Sequence, residues 1–305
     1  MLWQGLIRSA DLLLPLALVA AALAVLVPSS ALAERSDWVL AALVLFTALG
    51  IAPSQLATLR HSKLALGALV LAPFALLAPL AWAVSRPFGE PVREGVLALG
   101  VSSTEVAAVG LVALAGGSAV LALGVLTGSL VLSALAGPPL LSLLAGGTDV
   151  AAAELVGRFA LVVLLPLAAG LALRGLAPRL EQAEGELAGL CALTLVVLIY
   201  AAMSGAGEGG RLVAAALAST LFLAVCAAPV AAWILSAPGE LRVTGAFVIE
   251  LRDFAVAAAL AAETFGPPAA TVPGVYGVLM LLVGAAAAQL LPRLGRPPPD
   301  THARP

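Results

Sequence analysis

The sequence predicts an all-α polytopic membrane protein of ten transmembrane helices, arranged as two inverted five-helix repeats. Three observations carry that expectation. Hydrophobic residues fill 62% of the 305 positions and charged residues only 10%, and the mean hydropathy is +1.12, a composition outside the range of soluble domains. Apolar runs of membrane length follow one another with short polar joints, as spans of about 20 residues require. The chain also echoes itself: Leu12-Leu-Leu-Pro-Leu-Ala17 returns as Val163-Leu-Leu-Pro-Leu-Ala168, each a few residues after an arginine, Arg8 and Arg158.

Taken in order, the first helix follows the apolar run Leu12–Val27. Arg8, that run and Ala31-Leu-Ala33 before Glu34 imitate a cleaved secretory signal, but the echo at Val163–Ala168 argues for a structural helix. Further spans are expected near Trp38–Gln55, Lys63–Val84, Arg93–Ala115, Ser118–Leu144 and Ala151–Leu173. Gly137-Pro138-Pro139 marks a kink or an end in the fifth of these helices. Four more are expected near Glu186–Ala206, Leu212–Ser236, Arg242–Phe265 and Thr271–Leu291.

An even helix count places both termini on one side. Arg8, Arg60, Lys63, Arg174, Arg179, Arg242, Arg293, Arg296 and Arg304 fall on that side, against Arg35, Arg86, Arg93, Arg158 and Arg211 opposite. The excess predicts a multi-pass protein of the cell (inner) membrane with cytoplasmic termini. Pro15 precedes Glu105 by 90 residues and Pro166 precedes Asp253 by 87, so intramembrane acids hold nearly the same place in residues 1–148 and 149–294. Because five is odd, the second copy inserts upside down, as in many secondary transporters. Residues 295–305 read as a disordered cytoplasmic tail.

Two segments put charge where lipid would penalise it. Val248–Ala262 contains Glu250, Arg252 and Asp253, and Leu97–Gly110 contains Glu105, the only charge between Glu94 and Asp149. An ionisable group at mid-bilayer costs about 2.5–3.5 kcal/mol on insertion scales, so these side chains must face protein, water or a bound ion. Gly100-Val-Ser-Ser-Thr-Glu105 has the chemistry of an unwound helix: freed carbonyls and the hydroxyls of Ser102, Ser103 and Thr104 can hold a hard cation such as Na⁺, with Glu105 supplying charge. The structural alternative is a continuous helix in which those hydroxyls bond to the preceding turn and Arg252 pins Glu105. On a regular ninth helix Glu250 and Asp253, three apart, share a face and look into one cavity, while Arg252 points about 100° away. The three acids and one arginine leave a formal −2 that calls for bound cations or protons.

Other chemistries find no footing. Cys191 and Cys226 lie in apolar runs without metal-ligand spacing, and His61 and His302 sit in a loop and a tail. No basic run suggests nucleic acid, and no nucleophile–base pattern or phosphate-binding glycine loop suggests an enzyme. Ser118, Thr127, Ser129, Ser133, Tyr200, Ser204, Ser219, Thr220 and Gln289 read as interhelical contacts, since small polar groups commonly join membrane helices.

The Gly100–Glu105 break with Leu114-Ala-Gly-Gly-Ser118, the region Ser133–Pro139, and Arg252-Asp-Phe-Ala-Val-Ala-Ala-Ala-Leu-Ala261 together resemble the bile acid:sodium symporter family. That family shares a superfamily with arsenite efflux permeases. The resemblance spans about residues 10–292. It implies a panel of helices 1, 2, 6 and 7 beside a core of helices 3–5 and 8–10, with helices 4 and 9 broken and crossing. It also implies uptake of an organic anion coupled to Na⁺, with Ser103, Thr104, Glu105 and Asp253 as candidate Na⁺ ligands beside Arg252. Proton coupling is equally open to buried carboxylates. The family usually has asparagine where Glu105 and Asp253 stand. Beyond Na⁺ no cofactor is expected, and the partners are a small anionic substrate and the bilayer. Metalloid efflux and a non-transporting membrane sensor or scaffold are the alternatives. The metalloid permeases carry a cysteine where this chain has Ser103 and Thr104.

Overall fold

The structure, a computed structural model, describes residues 12–147, 151–205 and 209–294. Arg8, Asp149, the boundary between the two predicted halves and the tail 295–305 lie outside the described residues. Among those described there is no β-strand, and one isolated bridge, Thr104 with Arg252, is the extended pairing.

In chain order the helices are α1 (Leu13–Leu26), α2 (Ser30–Ala33), α3 (Ser36–Leu49), α4 (Pro53–Thr58) and α5 (Lys63–Ser85). Then come α6 (Val92–Val101), α7 (Ala107–Leu114), α8 (Ala119–Ala145), α9 (Ala152–Phe159) and α10 (Leu165–Leu176). The chain finishes with α11 (Glu184–Ser204), α12 (Gly209–Ser236), α13 (Gly239–Glu250), α14 (Phe254–Phe265) and α15 (Thr271–Leu294). Among the described residues six helical rods are long and apolar enough to cross a membrane: Lys63–Ser85, Ala119–Ala145, Ala152–Leu176, Glu184–Ser204, Gly209–Ser236 and Pro267–Gln289. Leu18, Leu71, Leu135 and Leu217 stand exposed on the outside, which suits a lipid-facing surface better than water.

Local chemistry explains where the rods depart from expectation. The helix expected over Trp38–Gln55 stops at Leu49, and Pro53 opens a separate short turn of helix at its N-terminal end, the position proline tolerates. Gly137-Pro138-Pro139 does not end α8, which runs unbroken from the Ser118 cap to Gly146 in a left-handed conformation. Prolines survive inside membrane helices when neighbouring turns stay bonded. In the rod Ala152–Leu176 a π-helical turn, Ala160–Leu164, precedes Pro166, and Leu165 N–H reaches back to the Ala160 carbonyl. One extra residue in the turn accommodates the proline. The two spans near Arg93–Ala115 and Arg242–Phe265 are each divided, as the expectation of broken fourth and ninth helices has it, into α6 and α7 and into α13 and α14.

Helix packing sorts these elements into two groups. The first comprises α1, α3, the α9–α10 rod and α11, with α11 packed on both α1 and α3. The second comprises α5 to α8 and α12 to α15. The groups meet where α11 and α1 lie on α15, where α3 lies on α14, and where α9 and the π-helical turn after it lie on α8. We call the face at which α1 begins the lower face, where Pro53 meets Gly175 and Gly117 meets Thr244. At the upper face Gly205 meets Pro267, and Tyr200 donates to the Val27 carbonyl.

A crossing of two interrupted helices

The interruption after α6 begins where glycine is required. A Cβ at Gly100 would lie 2.4 Å from Ala81 Cβ and 3.1 Å from the Leu77 carbonyl of α5, so α6 approaches α5 closely just before it ends. Ser102 then turns extended, with φ −77 and ψ 166. The second interruption follows Glu250: Leu251 and Asp253 are both extended, and Asp253 caps α14 by accepting from Ala255 and Val256 N–H, each at 3.0 Å.

These two extended pieces pair antiparallel. Asp253 N–H donates to the Ser103 carbonyl at 2.8 Å and Glu105 N–H to the Leu251 carbonyl at 3.0 Å. Backbone groups freed by unwinding, which would be costly without partners in an apolar interior, thus satisfy one another across the crossing. Side chains complete the arrangement. Ser103 Oγ donates to Asp253 Oδ2 at 3.1 Å, Thr104 Oγ1 to the Val248 carbonyl at 3.1 Å, and Thr104 N–H to Ser129 Oγ at 3.0 Å. Ser133 Oγ donates to the Val101 carbonyl at 2.9 Å and Ser102 Oγ to the Leu99 carbonyl at 2.9 Å. Tyr276 spans the second break, its hydroxyl accepting from Arg252 N–H at 3.0 Å and donating to the Glu250 carbonyl at 2.8 Å.

Alternation along extended backbone decides which side chains converge. Thr104 and Arg252, the bridge pair, project from one side, and Ser103, Glu105 and Asp253 from the other. Ser102, Ser103, Thr104, Glu105 and Arg252 are all inaccessible to solvent, and Asp253 is 1% exposed. The Arg252 guanidinium sits 5.7 Å from the Phe74 ring centroid, with Tyr276 and Cys226 nearby, and none of its nitrogens has a hydrogen-bond partner. Glu105 lies beside Asp253 and faces the amides of Val106, Ala107 and Phe254 at the starts of α7 and α14, yet neither carboxylate oxygen closes a hydrogen bond of normal geometry. The positive N-terminal ends of those helices favour negative charge there.

The structure therefore brings Glu105 and Asp253 together, as the sequence leads one to expect, and does not use Arg252 to pin Glu105. Of the four expected Na⁺ ligands, Ser103, Glu105 and Asp253 share a side, whereas the Thr104 side chain belongs to the other. Glu250 is a correction. It does not share a face with Asp253, because the helix on which they would be three apart stops at Glu250 and restarts at Phe254. Instead it lines a separate apolar cavity of about 360 Å³ between α12, α13 and α15, with Ile234, Phe247 and Val283. Tyr276, Phe74 and the role of Ser129 on the Thr104 amide escaped the sequence reading. Tyr276 carries a faint signal, as one of two tyrosines in the chain, placed in an apolar run.

A cavity approaches the crossing from the lower face. Between the two groups a cavity of about 500 Å³ opens beside α1, α7, α11 and α15, lined by Leu13, Leu111, Leu114, Cys191, Leu195 and Leu281, and it reaches Val106 and Ala107 next to Glu105. On the upper side of the same interface a small cavity of about 10 Å³ lies between Ser36, Ala202, Ala258 and Pro267. Among the described residues no group of three or more His, Cys, Asp or Glu side chains gathers as a metal site. The chain matches no protein-family model and no curated protein.

Proposed function

We propose that the chain is a secondary active transporter of a small organic anion, coupled to H⁺ or Na⁺ and working by alternating access. In this reading the six long rods, the shorter helices α1 and α3, and the interrupted pairs α6–α7 and α13–α14 make ten membrane segments in two inverted halves. The first packing group is a panel and the second a core that carries the crossing. Both termini face the cytoplasm of the cell (inner) membrane.

One observation carries the reading. Two carboxyl side chains from opposite halves of the chain, Glu105 and Asp253, are fully buried side by side at the crossing of two broken helices, and a cavity from the lower face ends on the residues next to Glu105. A buried carboxylate without hydrogen bonds is expensive to keep for structure alone, and half-helix ends around it are a recurrent means of holding ions and anionic groups at mid-membrane. The Ser103 hydroxyl and both carboxylates offer oxygen ligands suited to Na⁺, and either carboxylate can carry a proton.

Flux into proteoliposomes under an imposed Na⁺ or pH gradient, with a broad panel of small carboxylates, tests the proposal. Gradient-driven accumulation of at least one carboxylate is expected, and its absence across the panel would overturn the reading. A thermal-shift series over Na⁺ and pH separates the two coupling ions, because an ion that binds only the folded state raises its stability, by about 2.7 kcal/mol at 100 times its Kd.

A further inference from the structure

The upper side of the interface, where the described walls pack closely, is tied by charge. Arg158, on α9, pairs with Glu263, near the end of α14. Asp37, in the first turn of α3, lies beside the same Glu263 carboxyl, and Arg158 is close enough to act on it too. Glu154, one turn before Arg158, adds a contact at 3.9 Å. Helix α3 belongs to the first packing group and α14 to the second, while α9 packs on α8 of the second group and runs on into α10 of the first, so the cluster joins α3 to α14 across the interface that is open below. Beneath it the facing walls are small and apolar, Ala202 on α11 against Ala258 on α14, and offer no polar grip of their own.

The energetics suit a contact that must part. The Arg158 side chain is 52% exposed and that of Glu263 21% exposed, and ion pairs so close to solvent hold weakly and exchange readily with water. Arg158 also offsets two carboxyls that would otherwise face each other across the interface. We infer that Arg158, Glu263 and Asp37 form a latch that keeps the upper face shut while the lower cavity is open, and that this latch separates when the upper face opens. The inference rests on the alternating-access reading above, since a latch between bodies that never move would have no consequence.

The test is the labelling rate of single cysteines placed beneath the latch, Ala258→Cys and separately Ala202→Cys. The protein is reconstituted in nanodiscs after Cys191→Ala and Cys226→Ala, and the probe is a membrane-impermeant maleimide. With the latch intact both sites should label slowly. Arg158→Ala should raise the rate about fivefold at both, the size that loss of a partly exposed pair allows, and Glu263→Gln should do the same. Unchanged rates at both positions in both variants, in protein that still elutes as a single folded species, would overturn the latch. Flux measured on the parent protein keeps the two ideas separate: transport with unchanged labelling removes the latch alone, and faster labelling without transport leaves the latch in place and removes the transport reading.

Discussion

The Ser103 hydroxyl donates to Asp253 Oδ2 at 3.1 Å across 150 residues of chain, and the backbone of the same two residues is joined by Asp253 N–H to the Ser103 carbonyl at 2.8 Å. One residue pair thus closes the crossing twice, once through backbone and once through side chains. Asp253 also caps α14, so a single carboxylate ends a helix, anchors a neighbour and brings negative charge beside Glu105.

That triple use predicts a separation between stability and transport at Asp253. Asn caps helices about as well as Asp, whereas Ala costs about 0.5–2 kcal/mol. Asp253→Asn should leave the melting temperature nearly unchanged and abolish gradient-driven flux, while Asp253→Ala should lower the melting temperature and lose flux as well. Fluorescence-monitored melting alongside proteoliposome uptake checks both, and normal uptake by Asp253→Asn would take this carboxylate out of the coupling step.

Glu105 should behave differently, because its oxygens accept no hydrogen bond of normal geometry. A neutral group of the same shape removes the cost of burying a charge, against the loss of its attraction to the amides of Val106, Ala107 and Phe254. Glu105→Gln is expected to melt at the same temperature as the parent protein or higher, yet to lose coupled flux. A lower melting temperature would mean that the carboxylate stabilises the crossing.

For Tyr276→Phe the expectation is structural. The hydroxyl serves Arg252 N–H and the Glu250 carbonyl at once, and removing it leaves a buried donor and a buried acceptor unsatisfied, at about 1–3 kcal/mol for each group. A clear fall in melting temperature, with faster hydrogen exchange at the Arg252 amide, is the expected result.

Gly100→Ala tests the close approach of α6 to α5. Its Cβ would sit 2.4 Å from Ala81 Cβ, an overlap that backbone must absorb, and overpacking of this kind costs about 1–3 kcal/mol. The double change Gly100→Ala with Ala81→Gly should recover part of the loss, and an additive or worse double variant would show that the tight contact is not what selects glycine.

Much of this architecture is legible in the residues. The apolar runs mark the rods to within a few positions because burial in lipid needs length and little else. The first break is legible too, since Gly100 and three consecutive hydroxyl residues before Glu105 are poor helix formers in an apolar setting. The second break is implied only by the family resemblance: Phe254–Ala262 is so alanine-rich that periodicity alone reads helix from Arg242 onward, and an unbroken 3.6-residue period then places Glu250 and Asp253 on one face. Gly137-Pro138-Pro139 reads as a kink or an end, and the helix runs on through it to Ala145.

By itself the sequence determined that the chain is a bundle of apolar helices, and that Glu105, Glu250, Arg252 and Asp253 stand in two otherwise apolar segments, because hydropathy and charge cost are properties of a residue and its near neighbours. Only the tertiary structure decided that Ser103 meets Asp253, that Arg252 turns towards Phe74 rather than Glu105, that Glu250 stands apart, and that Arg158 reaches Glu263. Each of those outcomes depends on how extended backbone re-phases the side chains at a break and on which helix then packs against it, and neither is encoded in local periodicity.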